Sequence, residues 1–208
     1  IQVDIIRANG GDIDKFVGDE IMAMFDGSKK ELHACRAGVQ ISEAMSAQRE
    51  LAELASRHVV SIGIGINAGP AVFGSVGAGD RMDFTSIGET VNLAARLENA
   101  TKTYRTRMLV SEAVHDKVGG EYLSREIDLL VVKGKRQPVR VFELLQERGR
   151  ASDRTSEIKR VFEQGLSLYR QKKWSQAEQA FGFLKEKFND ETSEIFLRRI
   201  ALFKLEPP

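Results

Sequence analysis

Residues 83–98 read Asp83-Phe84-Thr85-Ser86-Ile87-Gly88-Glu89-Thr90-Val91-Asn92-Leu93-Ala94-Ala95-Arg96-Leu97-Glu98, and the structural period changes at Gly88. Asp83–Ser86 suits a short strand. From Glu89 to about Asn99, Val91, Leu93, Ala94, Ala95 and Leu97 give the apolar spacing of a helix. A strand running into a helix across one glycine is the unit of a mixed fold. Working outward, Val59–Asn67 is rich in β-branched residues and carries Gly63 and Gly65, and Ala71–Ser75 follows a turn at Gly69-Pro70. Glycines inside a strand mark close approach by another backbone or a ligand. On the other side come a strand at Arg107–Val110, a short helix capped by Ser111 and running to about Val118, and a hairpin made of Tyr122–Val132 and Val139–Leu145. Helices and strands alternate, so the expected class is α/β in the broad sense, an α+β fold with one main sheet.

The first quarter of the chain extends this pattern. Gln2–Ala8 has helical spacing and Gly10-Gly11 ends it. Gly11–Phe25 holds two short apolar runs around Val17-Gly18-Asp19-Glu20, a hairpin with an acidic turn. Glu31 to Ala55 is an amphipathic helix, with Ala34, Ala37, Ile41, Ala44, Met45 and Leu51 on one stripe. Composition shifts at Glu147–Glu157, and beyond it the strand signals stop. The expected division is a first domain at 1–147, a linker at 148–156 and a helical segment at 157–208. In that segment Ile158, Phe162, Leu166 and Tyr169 mark one helix, Trp174, Ala177, Phe181 and Leu184 a second, and Ile195, Leu197, Ile200 and Phe203 a third. Ala177 and Phe181 after Gly165 resemble a tetratricopeptide helix pair, with Asn189 where a closing proline would stand. One repeat cannot build a solenoid, so the expectation is a helical hairpin docked on its neighbour.

Composition bounds the function. The chain has 208 residues, 42% hydrophobic and 29% charged, with a formal net charge of +1. That balance gives no broad nucleic-acid or membrane footprint. Cys35 is the one cysteine, which excludes a disulfide framework and points to a reducing compartment. His33, His58 and His115 show no metal-ligand spacing with it.

Three stretches carry candidate chemistry. Asp14-Lys15-Phe16-Val17-Gly18-Asp19-Glu20 puts a carboxylate in a tight turn, where a hard cation shared with substrate phosphates can bind. Gly-Asp is also ordinary turn chemistry. Asn92 and Arg96 lie four apart and share a helix face, which suits an anionic, polyoxygen ligand or a plain surface pair. Lys133-Gly134-Lys135 can hold phosphate, or keep a turn soluble.

Together, in order and spacing, these stretches closely resemble the class III nucleotide cyclases. The resemblance runs from about Gly10 to Leu145 and includes Ser61–Gly69 and Gly88 followed by Val91-Asn92-x-Ala94-x-Arg96-Leu97-Glu98. It implies a ferredoxin-like, mainly antiparallel sheet with flanking helices and an adenylyl cyclase that turns ATP into 3′,5′-cyclic AMP and pyrophosphate for signalling. It also implies roles: Asp19 as a metal aspartate, Lys15 and Thr85 as the adenine-recognising pair, Asn92 on the ribose, Arg96 on the transition state and Lys133 on the terminal phosphates. Two Mg²⁺ or Mn²⁺ ions per site are implied as cofactors.

The family's other metal aspartate ends a strand upstream, followed by a Gly-Phe pair. Nothing here matches it, and Asp4 and Asp12 are wrongly placed to replace it, so that strand is expected before Ile1. Two alternatives stay open: a guanylyl cyclase, and a non-catalytic cyclase-like binding module. Lys15 favours adenine, whose bare N1 accepts where guanine N1–H donates, whereas the Thr85 hydroxyl can do either. The partners implied are ATP and a second copy of the chain, in a homodimer with sites at the interface, with neither nucleic acid nor membrane contact. The expected location is cytoplasmic, including as the cytoplasmic part of a larger protein.

Overall fold

Apolar residues that alternate along the strands sort onto two faces of a central sheet. The computed structural model describes residues 1–55, 61–78, 81–131 and 138–206. The elements in order are α1 (Gln2–Ala8), β1 (Gly11–Val17), β2 (Glu20–Phe25), α2 (Lys30–Leu54), β3 (Ile64–Ile66), β4 (Val72–Ala78), β5 (Arg81–Ile87), α3 (Glu89–Tyr104), β6 (Met108–Ser111), α4 (Glu112–Val118), β7 (Tyr122–Leu130), β8 (Val139–Glu147), a 3₁₀ turn at Arg148–Arg150, α5 (Asp153–Arg170), α6 (Trp174–Phe188) and α7 (Glu191–Leu205). The class is α+β, as the alternation of elements implied.

The one main sheet expected from sequence is four-stranded, with two hairpins beside it. Four strands pair in the order β3-β6-β8-β7, parallel between β3 and β6 and antiparallel elsewhere. The hairpins β1-β2 and β4-β5 are separate two-stranded ribbons. The strand expected over 59–67 is confined to Ile64–Ile66 among the described residues. A Cβ on Gly65 would stand 2.2 Å from the Ala94 carbonyl oxygen and 2.3 Å from the Glu98 amide. That segment is laid against the backbone of α3, which the glycines allow.

Along β6 the faces alternate. Met108 and Val110 join Cys35 of α2, Val114 and Val118 of α4, and Tyr122, Phe142 and Leu144 in one core. Leu109 points to the other face, with Ile127 of β7 and Val141 of β8. Burial at 0% exposure pushes the Cys35 thiol up to about 12, and nearby Glu31 adds to the shift, so Cys35 packs as a small hydrophobe.

The second core crosses the expected linker. Leu93, Leu97 and Tyr104 of α3 share it with Val161, Phe162 and Leu166 of α5, Ala177, Phe181 and Leu184 of α6, and Phe196 and Ile200 of α7. Phe162 meets Phe181 and Phe196 edge-on, with ring centroids 5.3 and 5.5 Å apart. Ionic contacts rivet the same joint. Arg125, with a 3% exposed side chain, pairs with Glu143 and Asp190, both at 2.7 Å. Asp190 also caps α7, accepting from the Ser193 amide at 2.9 Å. Arg199 of α7 reaches Asp128 at 2.6 Å, and Thr192 donates its hydroxyl to the Tyr104 carbonyl at 2.9 Å. The C-terminal end of α3 is thus held by α7.

Candidate active site

The residues singled out by sequence fall on three elements and one segment outside the described residues. Val17 and Glu20 pair across the tip of the first hairpin, leaving Gly18-Asp19 as a two-residue turn. Gly18 has φ of +64° and Asp19 has none, the pattern of a II′ turn with glycine at its first central position. The glycine therefore sets the strand reversal, and Asp19 is carried exposed at the tip. Lys15 lies on β1 and is half-buried.

Thr85 lies on β5 and is 3% exposed. It is tied to β1 by a residue that the sequence reading passed over. Ile13 pairs with Ala23 and Lys15 with Met22, so Asp14 is the extra residue of a bulge. Its carboxylate accepts the Thr85 hydroxyl at 2.7 Å through Oδ2 and the Ser86 amide at 3.1 Å through Oδ1. The Ser86 hydroxyl contacts the Met24 sulfur of β2 in turn. Lys15 and Thr85, 70 positions apart in the chain, thereby stand on adjoining strands. No periodicity could have found Asp14, because a bulge interrupts the alternation and its partners lie 71 and 72 residues away.

Asn92 and Arg96 lie on α3, both exposed, on a face neighbouring buried Leu93 and Leu97. Two contacts fix the start of that helix. Thr90 donates its hydroxyl to the Pro70 carbonyl at 2.6 Å, and the Asn67 side-chain amide donates to the Thr90 carbonyl at 2.9 Å. Gly65 beneath Ala94 and Glu98 fixes its middle. Among the described residues, neither Asn92 nor Arg96 makes a side-chain hydrogen bond. Neither is joined to Lys15, Asp19 or Thr85. The strands that carry Lys15 and Thr85 are therefore tied together through Asp14, while Asn92 and Arg96 lie exposed on α3. Lys133 and its neighbour Lys135 lie outside the described residues.

No group of three or more His, Cys, Asp or Glu side chains gathers among the described residues. Mg²⁺ commonly takes only one or two carboxylates, with substrate phosphates and water completing its shell. A single exposed, oxygen-donating Asp19 fits as one such ligand. Asp14 is instead held by the Thr85 hydroxyl and the Ser86 amide, one hydrogen bond on each oxygen.

Comparison with known proteins agrees with this geometry. The model of the adenylate and guanylate cyclase catalytic domain matches residues 5–146. A terminal-differentiation-specific adenylate cyclase of Dictyostelium discoideum is 32% identical over 202 residues, covering 93% of this chain and 9% of that protein, so the match extends into α5–α7. The chain spans between 9% and 28% of the length of three curated relatives it matches. Among solved structures, the adenylyl cyclase CyaB from P. aeruginosa is 30% identical with a TM-score of 0.63, over 73% of this chain and 80% of that one. The guanylyl cyclase Cya2 is 26% identical with a TM-score of 0.59, over 73% and 78%. Among the described residues, no helix is long and apolar enough to cross a membrane.

Proposed function

Because this chain belongs to the adenylate and guanylate cyclase catalytic domain family, we propose that it converts ATP to 3′,5′-cyclic AMP and pyrophosphate, as a homodimer with two sites at the interface. The observation that carries the reading is the Asp14 bridge, which seats Thr85 beside the strand of Lys15. In the reaction the ribose 3′-oxygen attacks the α-phosphorus, the bond from that phosphorus to the β-phosphate oxygen breaks, and pyrophosphate leaves with the electron pair.

Each residue has a role set by its chemistry. The Lys15 ammonium donates to adenine N1, which accepts, and is mismatched with guanine N1–H. Thr85 meets the 6-position of the base. The Asn92 amide positions the ribose. Arg96 offers a guanidinium where negative charge grows on the α-phosphoryl oxygens, and among the described residues no partner competes for it. Lys133 holds the terminal phosphates. Asp19 would hold divalent metal, which when bound lowers the pKa of the attacking hydroxyl and neutralises the triphosphate.

Among the described residues, no hydrogen bond or ion pair joins Asn92 or Arg96 to Lys15, Asp19 or Thr85 within one chain. A two-fold pair would place the α3 of each copy against the β1–β5 edge of the other, giving two equivalent sites. The direct experiment supplies ATP or GTP with Mg²⁺ or Mn²⁺ to a protein extended upstream of Ile1 and identifies the cyclic product chromatographically. Cyclic AMP as main product supports the reading. Cyclic GMP as main product would make this a guanylyl cyclase. No cyclic product under conditions where nucleotide binds would leave a cyclase-like binding module.

A further inference from the structure

The hydroxyl of Thr85 is ambiguous in sequence but not in its surroundings. A threonine hydroxyl has one proton and two lone pairs. Here the proton goes to Asp14 Oδ2 at 2.7 Å. The other polar atom within reach, the Ser86 carbonyl oxygen at 3.4 Å, is also an acceptor. Both neighbours therefore draw the proton inward, and only lone pairs remain for a ligand. Thr85 presents 3% of its surface, so what reaches it is a small edge group rather than a ring face.

Resting on the cyclase reading above, we infer that Asp14 is a positioning residue that fixes the polarity of the Thr85 hydroxyl and so makes the site select adenine over guanine. Adenine carries an amino donor at its 6-position, which an acceptor-only hydroxyl satisfies. Guanine carries the O6 acceptor, whose lone pairs would face those of Thr85. With Lys15 donating and Thr85 accepting, the pair is complementary to an acceptor beside a donor, the N1 and 6-amino edge of adenine. Asp14 itself cannot turn, because the Ser86 amide can only donate and keeps Oδ1 in place at 3.1 Å.

That constraint makes Asp14→Asn a polarity switch of nearly equal shape. The Ser86 amide demands the remaining carbonyl oxygen, which leaves the new NH₂ facing Thr85 Oγ1. The hydroxyl then accepts from the amide, and its own proton is left with only the longer contact to the Ser86 carbonyl at 3.4 Å, so it can turn to an acceptor on the ligand. The test uses the full chain and measures dissociation constants for ATP and GTP by competition with a fluorescent nucleotide, together with kcat/KM for each. Asp14→Asn should lower the ATP:GTP affinity ratio about 10- to 100-fold, the scale of one buried hydrogen bond turned from made to mismatched. In a Thr85→Val background the same substitution should change the ratio less than about twofold, because no hydroxyl remains to be reoriented.

A merely structural Asp14 would weaken both nucleotides alike in both backgrounds, and that result overturns the inference. Should Asp14→Asn fail to fold, Thr85→Val alone decides. Loss of ATP preference supports the inference, and an unchanged ratio shows that the hydroxyl does not read the base. A wild-type protein extended upstream of Ile1 that binds ATP over GTP yet forms no cyclic product would refute the cyclase reading, while the affinity ratios still judge Asp14.

Discussion

Asp190→Ala should cost about 4 kcal/mol of stability, because the side chain does two jobs at the joint between α7 and the sheet. As the cap of α7 it accepts the Ser193 amide at 2.9 Å, and losing such a cap costs about 1 kcal/mol. As a counter-ion it meets Arg125, whose side chain is 3% exposed, at 2.7 Å. Breaking one partner of a buried pair costs about 3–5 kcal/mol, and the lower end applies because Glu143 remains on the guanidinium. Asp190→Asn keeps the cap but not the charge, so it should cost about 3 kcal/mol. Arg125→Met added to Asp190→Asn removes the stranded cation, so the pair should cost at least about 1 kcal/mol less than the sum of the single changes. Urea titration at pH 7, followed by Trp174 fluorescence, reads these values. Trp174 is the one tryptophan and packs on Tyr169 and Phe203, within the helical segment. If Asp190→Ala cost less than about 1 kcal/mol, the ionic joint would not be holding α7.

Four further outcomes follow from the same geometry. Burial alone would raise the Asp190 carboxyl, but the Arg125 guanidinium and the Ser193 donors outweigh it and hold it below the ordinary value of 3.8. Its contribution is therefore full above that value and lost as pH falls through the lower folded one, so wild type should lose more stability than Asp190→Asn on acidification below about pH 4. Because α5–α7 share a core with α3, β6, β7 and β8, Trp174 fluorescence and far-UV circular dichroism should report one coincident unfolding transition, and removal of 154–208 should leave insoluble or unfolded protein; a folded, soluble truncation would show a separable tail. Gly65→Ala, set 2.2 Å from the Ala94 carbonyl, should cost about 3 kcal/mol by urea titration and lower turnover by shifting α3. Arg96→Ala should lower kcat about 10²- to 10³-fold with little change in KM for ATP, and a pure KM effect would assign it to ground-state phosphate binding.

What the sequence disclosed depended on how local each signal is. The Gly18-Asp19 hairpin, α2, the β7–β8 pair and the three C-terminal helices are written in turn residues and short-range periodicity, and each stands close to where it was expected. Helix α3 runs on to Tyr104, beyond Asn99, because Thr101 and Tyr104 are buried and anchor its last turn before Arg105 ends it at φ of 51°. Such anchoring is a tertiary effect. The neighbour of β3 was hidden for the same reason: Gly63 and Gly65 announced a close approach, but not that α3 would be what approached. The stripes of α5–α7 said that something covers them, and only the folded chain names Leu93, Leu97 and Ile127. At the site, Lys15, Asp19, Thr85, Asn92 and Arg96 came from motif wording. Asp14 was one residue from Lys15, yet its role depends on a bulge and on strand β5, which local patterns do not encode.

The account stands most directly on a complementation measurement of cyclic AMP formed from ATP. Asp19→Ala and Arg96→Ala chains, each nearly inactive alone, are mixed under conditions that allow subunit exchange, with exchange confirmed by native mass spectrometry. Random pairing makes about half the dimers mixed, each with one intact and one doubly altered site, so activity should return to about a quarter of wild type. Confirmed exchange with no return of cyclic AMP formation would contradict a site shared between two copies of this chain.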